Sequence, residues 1–390
     1  MKIAQSIALL FTLGLLFYQC DDASDTPADS STNANSKDSL NNVETPKAQS
    51  KHDKIAKFLA GIELDNLENS TEFDTTKWGE HSKNLNVNWE KMEKTRLNPM
   101  SSWVENKIVP NINDTLPLFY PFSGPDFLHA NYLFPKASGY TMMALEGIGE
   151  LPDFSTMSQE EMDEYLKNIN LFLRDIYRRS YFITKNMEGD VGSSTIRGIL
   201  PVLYVFVARS GYTILDVERI GLSSSGEIVS ENQSYSKSLD GVRFYLEADG
   251  ITKELIYWDC DLSNSGFEKT PEMKAYLSNL TKSNTFLKSA SYLLHYSTFG
   301  EIRELVLEKS LAILEDDTGV PYEYFKPATW RCRLYGGYEP PIKDFSPRLV
   351  QPDLKLAYED SSKYSGKMPF SLGYHWGSGV QNYMLYAKIK

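Results

Sequence analysis

The segment with the densest set of reactive and rigid residues is Phe119–Asn131, which reads FYPFSGPDFLHAN. Asp126 and His129 stand three residues apart within it. On a helical turn the two side chains share a face, so the carboxylate could orient the imidazole and raise its basicity for acid–base catalysis. The alternative is structural: Asp126 caps a short helix after Pro125, and the neighbouring apolar side chains enter the core.

A second set of acids lies at Glu315–Gly319, which reads EDDTG. Crowded carboxylates such as Asp316 and Asp317 can hold a cation or keep one acid protonated. The alternative is a turn after a strand, with Gly319 supplying a positive φ. The segment lacks the regularly spaced oxygen ligands of a calcium loop, so no metal site is predicted here.

Aromatic residues with polar tips are frequent near the carboxyl end of the chain, and flat rings of this kind suit a glycan or a peptide. The chain contains 24 Tyr and 6 Trp, so packing in the core would also explain their density. Both interpretations stay open for the candidate binding residues, which are Trp330, Tyr335, Tyr338, His375 and Trp376.

The standard catalytic motifs are missing from the sequence. GLSSSG at Gly221–Gly226 has the wrong spacing for a nucleophile elbow, and the chain has no HExxH, CxxC or P-loop. Gly147–Pro152 departs from the dinucleotide-binding pattern at its last position. We therefore predict no cofactor.

The amino terminus has the features of an export signal. Lys2 precedes the apolar run Ile7–Phe17, which is too short to cross a bilayer, and Cys20 follows. This junction resembles a bacterial lipoprotein signal, although that family prefers a small residue where Gln19 stands. The resemblance implies removal of residues 1–19 and acylation of Cys20, which would anchor the protein to a membrane. The alternative is a secreted protein cleaved nearby.

Residues 20–54 are predicted to form a disordered tether, because this polar stretch cannot bury enough apolar surface to offset the ordering entropy. Asp21 and Asp22 follow the lipidated position, where acidic residues act as sorting signals, and favour the outer membrane. The whole chain has 40 Lys+Arg against 52 Asp+Glu, a net charge of −12. With no basic block, a nucleic-acid partner is not expected.

Cys260 and Cys332 are the two cysteines that remain after signal removal. Outside the cytoplasm they could form one disulfide, or both could be buried thiols, and the sequence does not decide between the two.

Residues 55–390 are predicted to form one large domain of the α+β class, with an antiparallel sheet flanked by helices. Residues 55–112 are expected to be helical, with a helix over Asn86–Arg96 that Pro99 ends. The capping box of Ser158 and Glu161 opens an amphipathic helix to Tyr181. Its polar face carries Arg174, Arg178 and Arg179, which are either a solvated helix end or an anion-binding surface. Ser283–Leu294 is predicted to be helical, and Thr298 with Glu301 is predicted to cap another helix.

Strands are predicted where β-branched and aromatic residues dominate. Ile196–Ser210 is one, and Tyr212–Ile220, Glu227–Ser230 and Gln381–Lys388 are others. Val242–Trp258 reads as a hairpin around Asp249 and Gly250, in which Ala248 pairs with Ile251.

Three segments together resemble an uncharacterised family of bacterial secreted lipoproteins, and the YPFSGPDF string in the second segment is the most specific of these features. The segments are Lys83–Ile108, Pro117–Gly149 and Ser291–Phe325, the last followed by LYGGYEPPIKDF. The resemblance implies export and a common fold, and it supplies no activity.

Three functions fit these observations. The first is a membrane-tethered binding or assembly protein of the cell envelope without catalysis, whose ligand is a glycan, a peptide or an envelope protein. The second is an envelope hydrolase that acts on a glycan or an ester and uses Asp126 and His129 with Asp316 or Asp317. The third is a carrier with an enclosed apolar cavity against the sheet.

Overall fold

Strands of the described chain form one mixed sheet at the centre of the molecule. The computed structural model describes residues 49–64, 77–182, 196–230, 239–343, 345 and 349–389, all within one compact unit. The strand order is β10-β9-β11-β8-β7-β1-β2-β6-β5-β3-β4. The strands are β1 Leu118–Pro121, β2 Gly139–Ala144, β3 Thr213–Leu222, β4 Ile228–Ser230, β5 Asp240–Ala248, β6 Ile251–Asp259, β7 Ser283–Leu287, β8 Ser310–Glu315, β9 Trp330–Gly336, β10 Tyr364–Gly366 and β11 Asn382–Lys388.

The five central strands, β8, β7, β1, β2 and β6, run parallel to one another. Antiparallel pairs occur towards the two margins, where β6 pairs with β5 and β8 pairs with β11. The predicted antiparallel sheet is therefore wrong for the centre. The error has a physical origin, because parallel strands are joined by long crossovers and have no hairpin turn that a sequence could display.

Helices cover both faces of the sheet. In β1, Tyr120 packs into one core and Phe119 into the other, as the alternation of side chains in a strand requires. The first core includes α1 to α6, and the second includes α7 to α10. The helices are α1 Lys51–Leu59, α2 Trp78–Met92, α3 Asn98–Trp103, α4 Phe127–Leu133, α5 Gln159–Arg179, α6 Leu200–Arg209, α7 Asn264–Lys269, α8 Pro271–Asn279, α9 Gly300–Lys309 and α10 Pro352–Glu359.

Two local predictions are confirmed in detail. The capping box of Ser158 and Glu161 opens α5, whose apolar stripe is buried. The β5–β6 hairpin has the predicted register, with Ala248 opposite Ile251 and Phe244 opposite Leu255. Asp249 and Gly250 both have positive φ, as a two-residue turn between twisted strands requires.

Two predicted elements are wrong, and a third, a helix, is present without its predicted cap. Ile196–Ser210 contains the helix α6 instead of a strand, because a helix buried on all sides shows no polar face and hence no helical period. Ser283–Leu294 is strand β7 followed by a 3₁₀ helix, Ser289–His295. Helix α9 begins at Gly300 after Phe299, without the predicted side-chain cap.

Helical boundaries near the amino terminus also differ from the prediction. Helix α1 begins at Lys51, four residues before the expected start at Ile55, with Ser50 accepting from the backbone of Asp53. Pro99 lies in the first turn of α3, directly after a π-helical turn over Glu93–Leu97, so it does not end the helical run.

The predicted signal peptide over 1–19, Cys20 and the tether as far as residue 48 lie outside the described residues. Within the described ranges, the helices are too short or too polar to cross a bilayer.

Candidate functional site

The candidate site lies at the carboxyl ends of the central parallel strands. In the sheet, β1 lies between β2, the next strand in the chain, and β7, a distant one. The chain leaves β1 towards β2 on one side and leaves β7 towards β8 on the other, so the direction of the connections reverses between β1 and β7. In α/β sheets this reversal opens a crevice in which polar groups gather. Asp126 and His129 follow β1, Lys288 follows β7, and Asp316 and Asp317 follow β8. We call these five residues, with Ser180 and His375, the polar layer.

Asp126 is the hub of the polar layer and is 1% exposed. Its Oδ1 caps α4 by accepting a hydrogen bond from the backbone N–H of His129. The same oxygen lies 2.7 Å from the side-chain Nδ1 of His129. Its Oδ2 accepts from the Lys288 ammonium at 2.5 Å and from the Tyr120 hydroxyl at 3.2 Å. Both predicted roles of Asp126 are therefore present together, the helix cap and the carboxylate that orients a histidine.

The imidazole of His129 is fully buried, and burial lowers its pKa to about 4, so the ring is neutral near pH 7. Since an ionised carboxylate only accepts, Nδ1 carries the proton. The other nitrogen, Nε2, is a buried lone pair with no hydrogen-bond partner in the described part of the chain. The Asp–His pair thus has the protonation pattern of a general base.

Charge in the polar layer is balanced internally. Although burial opposes ionisation, His129 and the Lys288 ammonium hold the pKa of Asp126 to about 2. Burial lowers the pKa of Lys288, and Asp126 opposes this change. Arg96 adds a further buried cation near Asp126, and burial lowers its pKa to about 10.

Lys288 connects the two predicted sets of acids through Ser180. Its ammonium donates to the Ser180 carbonyl at 2.6 Å, and the Ser180 hydroxyl accepts from the backbone N–H of Gly373 at 2.9 Å. A Cβ on Gly373 would lie 2.5 Å from Oδ2 of Asp316, so this close approach requires glycine. The two sets of acids therefore lie side by side, with Lys288, Ser180 and Gly373 between them.

The acids after β8 are engaged with neighbouring groups. Asp316 accepts from the backbone N–H groups of Ser289 and Thr318, and Asp317 lies 3.0 Å from Nε2 of His375. Burial and the charge of Asp317 raise the pKa of Asp316 to about 6. Burial lowers the pKa of His375, but the contact with Asp317 outweighs it and the net shift is upward.

Gly319 has a different role from the one predicted, since its φ is not positive. A Cβ there would lie 2.2 Å from Oε2 of Glu315, so the position gives room to a fully buried acid. Burial raises the pKa of Glu315 well above its usual range. Among the described residues no three His, Cys, Asp or Glu side chains form a group able to hold a metal ion.

The predicted binding surface is corrected for three of its five residues. Trp330 and Tyr335 are 6% and 0% exposed, because β9 buries them against Phe325 and Trp103. Tyr338 and Trp376 are half-buried. His375 is buried in the polar layer.

The two described cysteines are free thiols, so no disulfide joins Cys260 to Cys332. Cys260 follows β6 and Cys332 lies on β9, six strands away in the sheet. At about 4.8 Å per strand this separation is roughly 29 Å, whereas a disulfide needs Cα atoms within about 7 Å. Burial raises the pKa of both thiols.

A separate open groove of about 490 Å³ lies between α2 and α5. The two helices run in the same direction. Lys77 pairs with Asp163 near their starts, and Arg96, in the π-helical turn that continues α2, donates to the Ile176 carbonyl near the end of α5. None of the described lining residues is acidic, and four of them are cationic: Lys91, Lys167, Arg174 and Arg178.

Lys288, Ser180 and Arg96 were missed by the sequence reasoning. Lys288 could have been found if Ser283–Leu287 had been recognised as a strand, because a lysine directly after a buried parallel strand lies at the edge where sites form. Ser180 ends α5 with a φ of 69°, and no sequence signal marks its role.

No family model matches the chain, and no curated protein is significantly similar to it in sequence.

Proposed function

We propose that this protein is an exported, lipid-anchored binding protein of the cell envelope that holds its ligand without chemical turnover. The observation that carries the proposal is a contrast between two places in the fold. The candidate catalytic side chains are sealed and bonded to each other, whereas the cations between α2 and α5 face solvent.

The sealed polar layer supports a structural role for its charges. Asp126 and Lys288 are each 2% exposed as side chains, and the carboxylate receives donors from Tyr120 and His129 as well. An ion pair that is removed from water needs this degree of satisfaction merely to offset its desolvation. The arrangement is that expected of groups that fix the junction between β1 and β7.

The groove supports a binding role. Its cations are exposed, and no ion pair joins Lys91, Lys167 or Arg174 to a carboxylate in the described ranges. Free cations on a chain of net charge −12 indicate a place that attracts an anionic ligand from solution. The export signal and Cys20 would place this surface outside the cytosol on a tether.

A hydrolase remains the second candidate, because one specific observation favours it. Nε2 of His129 is an unpartnered lone pair, and its ring is oriented by Asp126 as in a general base. The carrier hypothesis stays a prediction, since the open, charged groove between α2 and α5 is not the enclosed apolar cavity against the sheet that it requires.

One experiment separates binding from turnover. Full-length protein in detergent is incubated with a panel of envelope glycans and model esters, and both retention of the compound and release of products are measured. We expect retention without products. Product release that disappears in His129→Gln would refute the binding-only function and establish the hydrolase.

A further inference from the structure

We propose that the groove between α2 and α5 is a binding site for an acidic oligosaccharide, whose carboxylate or sulfate groups pair with Lys91, Lys167, Arg174 and Arg178. The inference rests on the proposed binding function and names its ligand class.

The spacing of the cations indicates an elongated ligand. Lys167, Arg174 and Arg178 lie on one face of α5, at intervals of seven and four residues. At 1.5 Å per residue, the first and last are about 16 Å apart along the helix. Lys91 faces them from α2. A single phosphate or carboxylate cannot reach all four cations, whereas a chain with repeated acidic groups can.

The cations are available to a ligand. Lys91, Lys167, Arg174 and Arg178 are all exposed, and none of them has a salt bridge within the part of the chain that the structure describes. Two acids on α5 contact other cations: Asp163 pairs with Lys77, and Asp175 lies 4.0 Å from Arg179. No carboxylate is among the described lining residues of the groove.

Asn170 gives the groove a fixed hydrogen-bond acceptor. His81 is 5% exposed and its Nε2 lies 2.8 Å from the Leu59 carbonyl, which only accepts, so Nε2 carries the proton. Nδ1 of His81 then accepts from Nδ2 of Asn170 at 2.8 Å, which fixes the orientation of the amide. Oδ1 of Asn170 is left buried without a partner among the described residues.

A hydroxyl donor is the group that would satisfy this oxygen, because a buried acceptor without a partner is costly. Sugars supply hydroxyl donors beside their acidic groups. Leu171 is 39% exposed in the same lining and gives an apolar contact for a ring face. Arg178 lies 5.8 Å from the centre of the Trp376 ring, so a half-buried aromatic continues the surface at this end. Acidic groups, hydroxyls and apolar ring faces occur together in an acidic polysaccharide.

The test measures binding of fluorescent oligogalacturonate to the full-length protein in detergent. The Lys167→Ala/Arg174→Ala variant should bind about tenfold more weakly, because it removes two of the four exposed cations that pair with the acidic groups of the ligand. The matched control is Lys83→Ala/Lys94→Ala, which removes two exposed charges from α2 and the π-helical turn after it, outside the lining, and should keep the wild-type affinity. Affinity should also fall as salt is raised to about 0.15 M.

Several results would overturn the site. These are equal loss in the control variant, equal binding of a neutral glucan, or tighter binding of an RNA oligonucleotide than of oligogalacturonate. If oligogalacturonate does not bind while another envelope glycan is retained, the ligand class is wrong and the binding function stands. If oligogalacturonate is bound through the groove and cleaved, the site stands and the non-catalytic function is wrong.

Discussion

Replacing Asp126 by Asn removes one charge from the most buried ion pair described above while keeping the shape of the side chain. Asn caps helices about as well as Asp, so α4 keeps its cap. Lys288 would keep a buried ammonium without a counter-charge, since its side chain is 2% exposed. Breaking a buried pair in this way costs about 3–5 kcal/mol, a large part of a typical unfolding free energy of about 5–15 kcal/mol.

Urea denaturation followed by circular dichroism measures this loss. Asp163→Asn is the matched control, because its pair with Lys77 is similarly short, at 2.7 Å against 2.5 Å, but Lys77 is 60% exposed, so we expect a much smaller loss of stability. The double variant Asp126→Asn/Lys288→Met should recover much of the stability, since it removes both charges.

The pH dependence of Asp126→Asn gives an independent check. Burial already lowers the pKa of Lys288, and loss of the carboxylate lowers it further. The folded variant then binds fewer protons than the unfolded chain below the ordinary lysine pKa of about 10.4, so its stability should rise from pH 7 towards pH 9. A loss no greater than in Asp163→Asn, or a double variant as unstable as the single one, would refute the buried pair.

Three further outcomes are expected. Cys20→Ala should move the protein from the membrane fraction to the soluble fraction, and unchanged partition would contradict lipid anchoring. Burial lowers the pKa of His129 from about 6.5 to about 4, so between these pH values the unfolded chain binds a proton that the folded chain lacks. The free energy of unfolding should therefore fall by about 3 kcal/mol when the pH is lowered across this range. In urea titrations, His129→Gln should remove this pH-dependent loss. Gly373→Ala should lower the free energy of unfolding by more than about 1 kcal/mol in the same assay, since the φ of this residue is 74° and a Cβ would clash with Asp316. Gly377→Ala is the control and should be nearly neutral, because no heavy atom lies within 4 Å of a Cβ there.

Local chemistry determined which elements could be predicted. The capping box of α5 and the Asp249–Gly250 turn act within a few residues, so the sequence displays them directly. Helix α6 could not be recognised, because it is buried on all sides and its period is hidden in a continuous apolar run. The parallel centre of the sheet depends on crossovers between distant segments, which leave no local signal.

The same division applies to the candidate site. Asp126 and His129 are three residues apart, and their contact followed from helical spacing alone. Lys288 is 162 residues from Asp126, and its place depended on β7, which was predicted to be a helix. Arg174 and Arg178 could be recognised as one basic helix face from their spacing, but Lys91 joins them only when α2 lies beside α5.

The central claim is that the folded domain is exported and held on a membrane by a lipid on Cys20. Mass spectrometry of the intact protein purified from its native membrane tests this claim most directly. The account predicts a chain that begins at Cys20 and carries a diacylglycerol on its thiol. A chain that retains Met1, or an unmodified thiol at Cys20, would contradict it.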